Sequence, residues 1–173
     1  MDKKVLYGMI LYRNGWGGAD VTADLALCAD LMTRAEAAYV TTVDEDGFPQ
    51  TRAMFNLRRQ AQFPVLEALF REHAANLLTF FTTNTSSRKV AQLAANAKAA
   101  VYYAEPAEFR GLNLVGWLDI VTDDEIKHRL WQPGWERYYP GGPTDPDYAV
   151  LRMRPMSARY YHRLQVIEVE FPS

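Results

Sequence analysis

The segment GLNLVGWLDIV, residues 111–121, alternates Leu112, Leu114, Gly116 and Leu118 against Asn113, Val115, Trp117 and Asp119. That two-residue period is the signature of a strand with one face on a core. Comparable runs recur at LLTFFTT (77–83), AAVYYAE (99–105), AVLRMRP (149–155) and ARYYHRLQVIEVEF (158–171). Upstream, AAYVTTVDEDGFPQTRAMFNL sets two β-rich runs on either side of Asp44, Glu45, Asp46 and Gly47, with Pro49 just past the turn, the pattern of a hairpin. Six or seven strands with few helices between them predict a closed antiparallel sheet: a mainly β (α+β) barrel with peripheral helices.

A chain of 173 residues is the length of one domain, enough to bury roughly two thirds of its unfolded surface. With 49% apolar residues, 13% aromatics and a net charge of −2, it is neither disordered nor a general binder of polyanions. Nucleic acid is therefore not expected, and any bound anion must be met locally. Cys28 has no partner for an internal disulfide and shares an apolar helix face with Leu25, Leu31 and Met32, which favours a buried structural thiol. No apolar run approaches the ~20 residues of a membrane span. The opening MDKKVLYGMILYRNGWGG is too polar-interrupted for a secretory signal. A cytoplasmic protein without a membrane segment is expected.

The helices are fewer. Thr22 can cap a helix running to about Ala37, and residues 58–76, RRQAQFPVLEALFREHAAN, read as a helical insertion beginning after Pro64. TDDEIKHRLW reads as a short helix leading into QPGWERYYPGGPTDPDY, an aromatic loop over about 131–148 of the kind that covers something. Its Trp131, Trp135, Tyr138 and Tyr139 suit a core, an oligomer interface or a stacking wall for a planar ligand; an interface is the expected role.

The most specific chemical signal is TFFTTNTSSRKVAQL. Val90, Leu93, Ala94 and Ala97 fall on one helical face, so Ser86 or Ser87 caps the helix, and Arg88 and Lys89 occupy its first turn. The free N–H groups and positive dipole end there favour acids, each by a few tenths to about 1 kcal/mol. Two hydroxyls, free N–H groups and two cations together suit a phosphate; the alternative is that both cations simply extend into water. Arg52, on an apolar strand, is a third candidate cation. His73, His128 and His162 occur singly, so no metal site is predicted. A nucleophile elbow, a Walker loop and GxGxxG are absent, and GWGG lacks the flanking strand and helix of a dinucleotide turn. Asp44, Glu45 and Asp46 read as a solvated turn. Mononucleotide binding without a Rossmann fold is what remains.

Over about Ala38 to Tyr161 the chain resembles the flavin-binding split barrels of the pyridoxamine 5′-phosphate oxidase superfamily, in particular their general-stress-protein branch. The resemblance rests on FFTTNTSSRKVAQLAANAKAAVYY, on GFPQTRAM and on YYPGGPTDPDYAVLRMRP. It implies an FMN-binding flavoprotein, an oxidoreductase acting on an unidentified small molecule. It also implies a homodimer with its site between subunits, Arg52, Ser87, Arg88 and Lys89 on the flavin phosphate, and the backbone of Arg52, Ala53, Met54, Phe55, Asn56 and Leu57 along the ring. Thr82 and Thr83 are implied to contact the ring or ribityl chain. A carrier or stress sensor that holds FMN without turnover, or a haem- or deazaflavin-binding barrel, are the other readings of the same resemblance.

Departures from the oxidase pattern bear on activity. Leu57 followed by Arg58 stands where oxidases carry a lysine, TDDEIKHRLWQPGWERYY replaces their Tyr, Arg-Pro and Ser series, and their C-terminal arginine and histidine motif is missing. Gly111 replaces a flavin-reaching glutamine. Oxidation of pyridoxamine 5′-phosphate is therefore not expected.

Overall fold

A computed structural model of the chain describes residues 21–172. Gly15, Gly17 and Gly18 lie outside the described residues. The order is α1 (Val21–Arg34), β1 (Ala37–Val43), β2 (Pro49–Phe55), α2 (Glu67–Arg71), β3 (Thr79–Asn84), α3 (Arg88–Ala95), β4 (Lys98–Glu105), β5 (Arg110–Val121), α4 (Asp124–Leu130), β6 (Tyr148–His162) and β7 (Gln165–Glu170). All strands join one antiparallel sheet in the order β2-β1-β4-β5-β6-β3, with β7 beside β6. This is the mainly β barrel with peripheral helices that the alternation predicts, and the split barrel that the resemblance implies.

The sheet curls because β6 is long enough to serve two partners: Tyr148–Met153 pairs with β3 and Ser157–His162 with β7. Between these halves Pro155 faces Gly116 beside a bulge in β6, where Met156 is the extra residue between the partners of Val115 and Gly116. A proline offers no ladder N–H and is tolerated at such a break. A Cβ on Gly116 would come within 2.1 Å of the Arg154 carbonyl oxygen, so the close approach requires glycine.

Three boundaries differ from the sequence reading. β6 runs unbroken through Pro155, and the chain turns instead at Arg163 and Leu164, with φ of 50° and 63°. Left-handed backbone costs a side-chain-bearing residue roughly 1–2 kcal/mol; no Gly or Asn marks the turn, and strand pairing on both sides imposes it. Helix α1 ends at Arg34 rather than Ala37, with Thr22 inside its first turn. The Asn56 amide donates to the Met32 and Ala35 carbonyls at 2.7 and 2.8 Å, satisfying acceptors that the helix end leaves open. In the 58–76 segment a 3₁₀ turn, Pro64–Leu66, precedes the five-residue α2, a shorter helix than the spacing suggests.

The interior has two cores. In the first, Leu25, Cys28, Leu31 and Met32 of α1 pack on Val40, Phe81, Val101, Leu112 and Leu114. Burial pushes the Cys28 thiol up to about 12, with Asp24 adding to the effect, so the thiol is structural. In the second, Leu57, Phe63, Leu66 and Phe70 meet Phe80, Leu130, Trp135, Tyr139 and Tyr148. The 58–76 segment and the aromatic loop therefore bury each other's apolar groups, each large side chain contributing about 1.5–3 kcal/mol. Arg58 braces this unit: its guanidinium lies over the Phe70 ring and donates to the Leu78 and His73 carbonyls.

Candidate functional site

The site begins at the turn between β3 and α3. Asp147 holds that turn, accepting from the Ser86 N–H at 2.9 Å and the Asn84 amide at 2.6 Å, while the Thr85 N–H donates to the Asp147 carbonyl. These donors, the Ser86 N–H first, keep the Asp147 carboxyl below the usual carboxylate range. The PTDPDY end of the aromatic loop is thus a brace for the start of α3. Ser87 is the cap residue in extended conformation, but its hydroxyl does not cap; it lies 3.3 Å from the Thr83 hydroxyl. Leu93 alone of the predicted apolar face is buried. Val90 is half-buried, Ala94 is exposed and Ala97 falls beyond the helix.

Lys89 folds back from the first turn of α3 and donates to Thr83 Oγ1 at 2.7 Å. Arg52 projects from β2, donating to Thr42 Oγ1 at 2.6 Å, the Val40 carbonyl at 3.3 Å and Gln92 Oε1 at 3.3 Å. Among the described residues, Arg52, Arg88 and Lys89 form no ion pair. Burial lowers the Arg52 and Lys89 pKa values, and neighbouring cations lower them further: Arg88 acts on Arg52, and Arg52 on Lys89. A cluster of positive charge without a carboxylate partner among the described residues, at a helix N-terminus, is chemically suited to an oxyanion.

From this cluster opens a cleft of about 550 Å³, walled by Arg52, Ala53, Met54 and Phe55 of β2, Thr82 and Thr83 of β3, Lys89, and Trp135, Tyr138 and Tyr139 of the aromatic loop. Its size falls among small-molecule and cofactor sites. Asn56 and Leu57 lie off its wall with fully buried side chains, Asn56 on the end of α1 and Leu57 in the second core. Ser87 connects through Thr83, and Arg88 is exposed.

The aromatic set corrects an expectation. Trp135 and Tyr139 are already buried within one chain, each 6% exposed, so no interface is needed to cover them. They are core residues with an edge on the cleft, and Tyr138 is the exposed member of the wall. Asp44 accepts from the Asp46 and Phe48 N–H groups and the Gln50 amide, a turn brace in keeping with its reading. Above Gly111 lies the Tyr102 ring, whose hydroxyl a Cβ there would meet at 2.1 Å. Sequence reading missed Thr42 and Gln92. Gln92 sits one helical turn past Arg88, a visible spacing, but only strand register and the α3 docking bring either residue to Arg52.

Fold and cleft together define a split barrel with a cationic pocket at one helix start. The chain belongs to the pyridoxamine 5′-phosphate oxidase family, whose model matches residues 26–162, and within it to the general-stress-protein branch. A Clostridium acetobutylicum protein related to Bacillus subtilis general stress protein 26 is 30% identical, covering 86% of this chain and 95% of that one, with a TM-score of 0.66. General stress protein 26 of Bacillus anthracis Sterne is 14% identical over 85% of this chain and 97% of that one, TM-score 0.61. A haem-binding protein of Mycobacterium smegmatis shares the fold at 11% identity, over 88% of this chain and 59% of that one, TM-score 0.61. No curated protein matches the sequence. Among the described residues, no helix is long and apolar enough to cross a membrane.

Proposed function

We propose that the protein binds FMN non-covalently and uses it for the two-electron oxidation or reduction of a small molecule. The supporting observation is the group Arg52, Arg88 and Lys89, cations without a carboxylate partner among the described residues, at the start of α3. A phosphate dianion supplies the missing counter-charge, and helix N–H groups add directed bonds. In this reading Arg52, Ser87, Arg88 and Lys89 hold the phosphate, and Thr82 and Thr83 face the ring or ribityl chain. The backbone from Arg52 to Leu57 follows the ring, with Asn56 and Leu57 offering main chain only. Flavin supplies the electron chemistry when bound; the chain binds, orients and shields. No side chain is assigned as acid or base, and pyridoxamine 5′-phosphate is not the proposed substrate.

The proposed protein is a cytoplasmic homodimer. On the outer side of the sheet Tyr39, Tyr102, Val115, Trp117 and Met156 are between 38% and 45% exposed, an apolar surface that a second copy would cover. Isologous pairing gives two equal sites.

The test is the visible spectrum of the protein purified without added cofactor, with chromatography of what denaturation releases. A flavin spectrum and released FMN support the reading; bleaching by a reduced nicotinamide then separates an oxidoreductase from a carrier. A Soret band points to haem and a released deazaflavin to that cofactor, although none of His73, His128 and His162 lines the cleft. A colourless protein that takes up no added FMN overturns the proposal.

A further inference from the structure

We infer that Thr42 and Gln92 are positioning residues that hold Arg52 in place without neutralising it, and that the uncharged amide at position 92 sets the cleft's preference for a phosphate-bearing ligand. The inference rests on the phosphate site proposed above.

Hydrogen-bond directions in this group are determined. A guanidinium only donates, so Thr42 Oγ1 accepts from Arg52 Nη1 at 2.6 Å. The one proton of the Thr42 hydroxyl then goes to Gln92 Oε1, also at 2.6 Å. That same oxygen accepts from Arg52 Nη2 at 3.3 Å. Three side chains from β1, β2 and α3 therefore close a ring of bonds. Thr42 is fully buried, and a buried hydroxyl without partners costs about 1–3 kcal/mol, so the ring fixes its own geometry. Oxygen acceptors for a guanidinium come in two sorts, charged and neutral, and among the described residues those that Arg52 meets are all neutral: a hydroxyl, a carbonyl and an amide.

Three other arginines on the sheet are treated differently. Arg110 meets Asp30 at 2.8 Å and Glu105 at 3.0 Å, and Arg152 and Arg154 share Asp119. Those guanidiniums are oriented and neutralised together. Among the described residues Arg52 is oriented only, which leaves its charge for an incoming anion. A glutamate at position 92 would match the glutamine in shape and accept the same bonds, yet cancel that charge. A purely structural role for Gln92 predicts that such a change is harmless or stabilising; a role in anion preference predicts a specific loss.

The experiment titrates the full-length protein with FMN and, separately, with riboflavin, which lacks only the phosphate, following flavin fluorescence. Wild type is expected to prefer FMN. Gln92→Glu should keep or raise the melting temperature and leave riboflavin affinity unchanged. Its FMN affinity should fall on the order of tenfold or more, collapsing the preference. Thr42→Val should lower the same ratio and Thr42→Ser restore it. If Thr42→Val does not fold, Gln92→Glu decides alone. A Gln92→Glu protein that keeps the wild-type preference overturns the positioning role and leaves the phosphate site standing. Equal binding of FMN and riboflavin by wild type overturns the phosphate site itself, and this inference with it.

Discussion

The ammonium of Lys89 donates to the Thr83 hydroxyl across 2.7 Å, tying the first turn of α3 to the strand that feeds it. The hydroxyl disperses little of the charge, and Arg52 repels it. Under the FMN proposal, Lys89→Met should weaken FMN binding by about 1.5–3 kcal/mol, the range for a charge-assisted bond. Arg88→Ala, at an exposed position, should cost less, on the order of 1 kcal/mol. Unfolding of the flavin-free Lys89→Met protein should not become easier, because a repulsion has been removed. Calorimetric titration measures the first effect and urea unfolding the second; unchanged FMN affinity in Lys89→Met would place the anion elsewhere.

Asp147 braces the turn over residues 84–86 from outside the helix. Asp147→Ala should therefore speed amide hydrogen exchange at Thr85 and Ser86 while core strands keep their protection. Its carboxyl is held low, so the charged brace is present at neutral pH and is lost as pH falls through the depressed value. Equal exchange at Ser86 in mutant and wild type would remove Asp147 from this role.

Phe63 joins the 58–76 segment to the cleft, its ring meeting Phe55 at 6.2 Å and Trp135 at 6.4 Å between centroids. Truncation leaves a cavity under Trp135. Phe63→Ala should cost about 3–5 kcal/mol in urea unfolding, with a shift in tryptophan emission. A loss below ~1 kcal/mol would mean that this core collapses around the gap.

Alkaline pH should destabilise the fold. Burial raises the Tyr103 and Tyr139 phenols from 10.0 to about 12, and Tyr148 is raised as well. Between the two values the unfolded chain has released protons that the folded chain retains, so stability falls as pH rises past 10.0. Urea midpoints from neutral to strongly alkaline pH should show this decline, with a shallower slope in Tyr103→Phe. A flat profile would indicate that these phenols reach solvent.

Much of the site's chemistry is legible in the linear chain. Ser87, Arg88 and Lys89 are adjacent, and placing cations in a first turn contradicts the helix dipole strongly enough to suggest an anion. Arg52 is visible as a charge on an apolar strand. What cannot be read there is which of two neighbouring arginines faces the cleft: Arg52 does, and Arg58 is instead buried against Phe70. Asn56 is equally opaque, because its task is to finish a helix that ended some twenty residues earlier.

Strand period, the Asp44–Gly47 turn and the charged start of α3 are local properties, set by residues within a few positions of one another, and the sequence alone determined them. The ring of Arg52, Thr42 and Gln92, the Asp147 brace and the aromatic wall were decided only by the tertiary structure. The ring and the brace join residues 10 to 63 positions apart, and the wall brings Trp135 onto Phe63 from farther still. Their encounter depends on strand register and on two cores packing side by side, and those are cooperative outcomes of the whole chain that no short window contains.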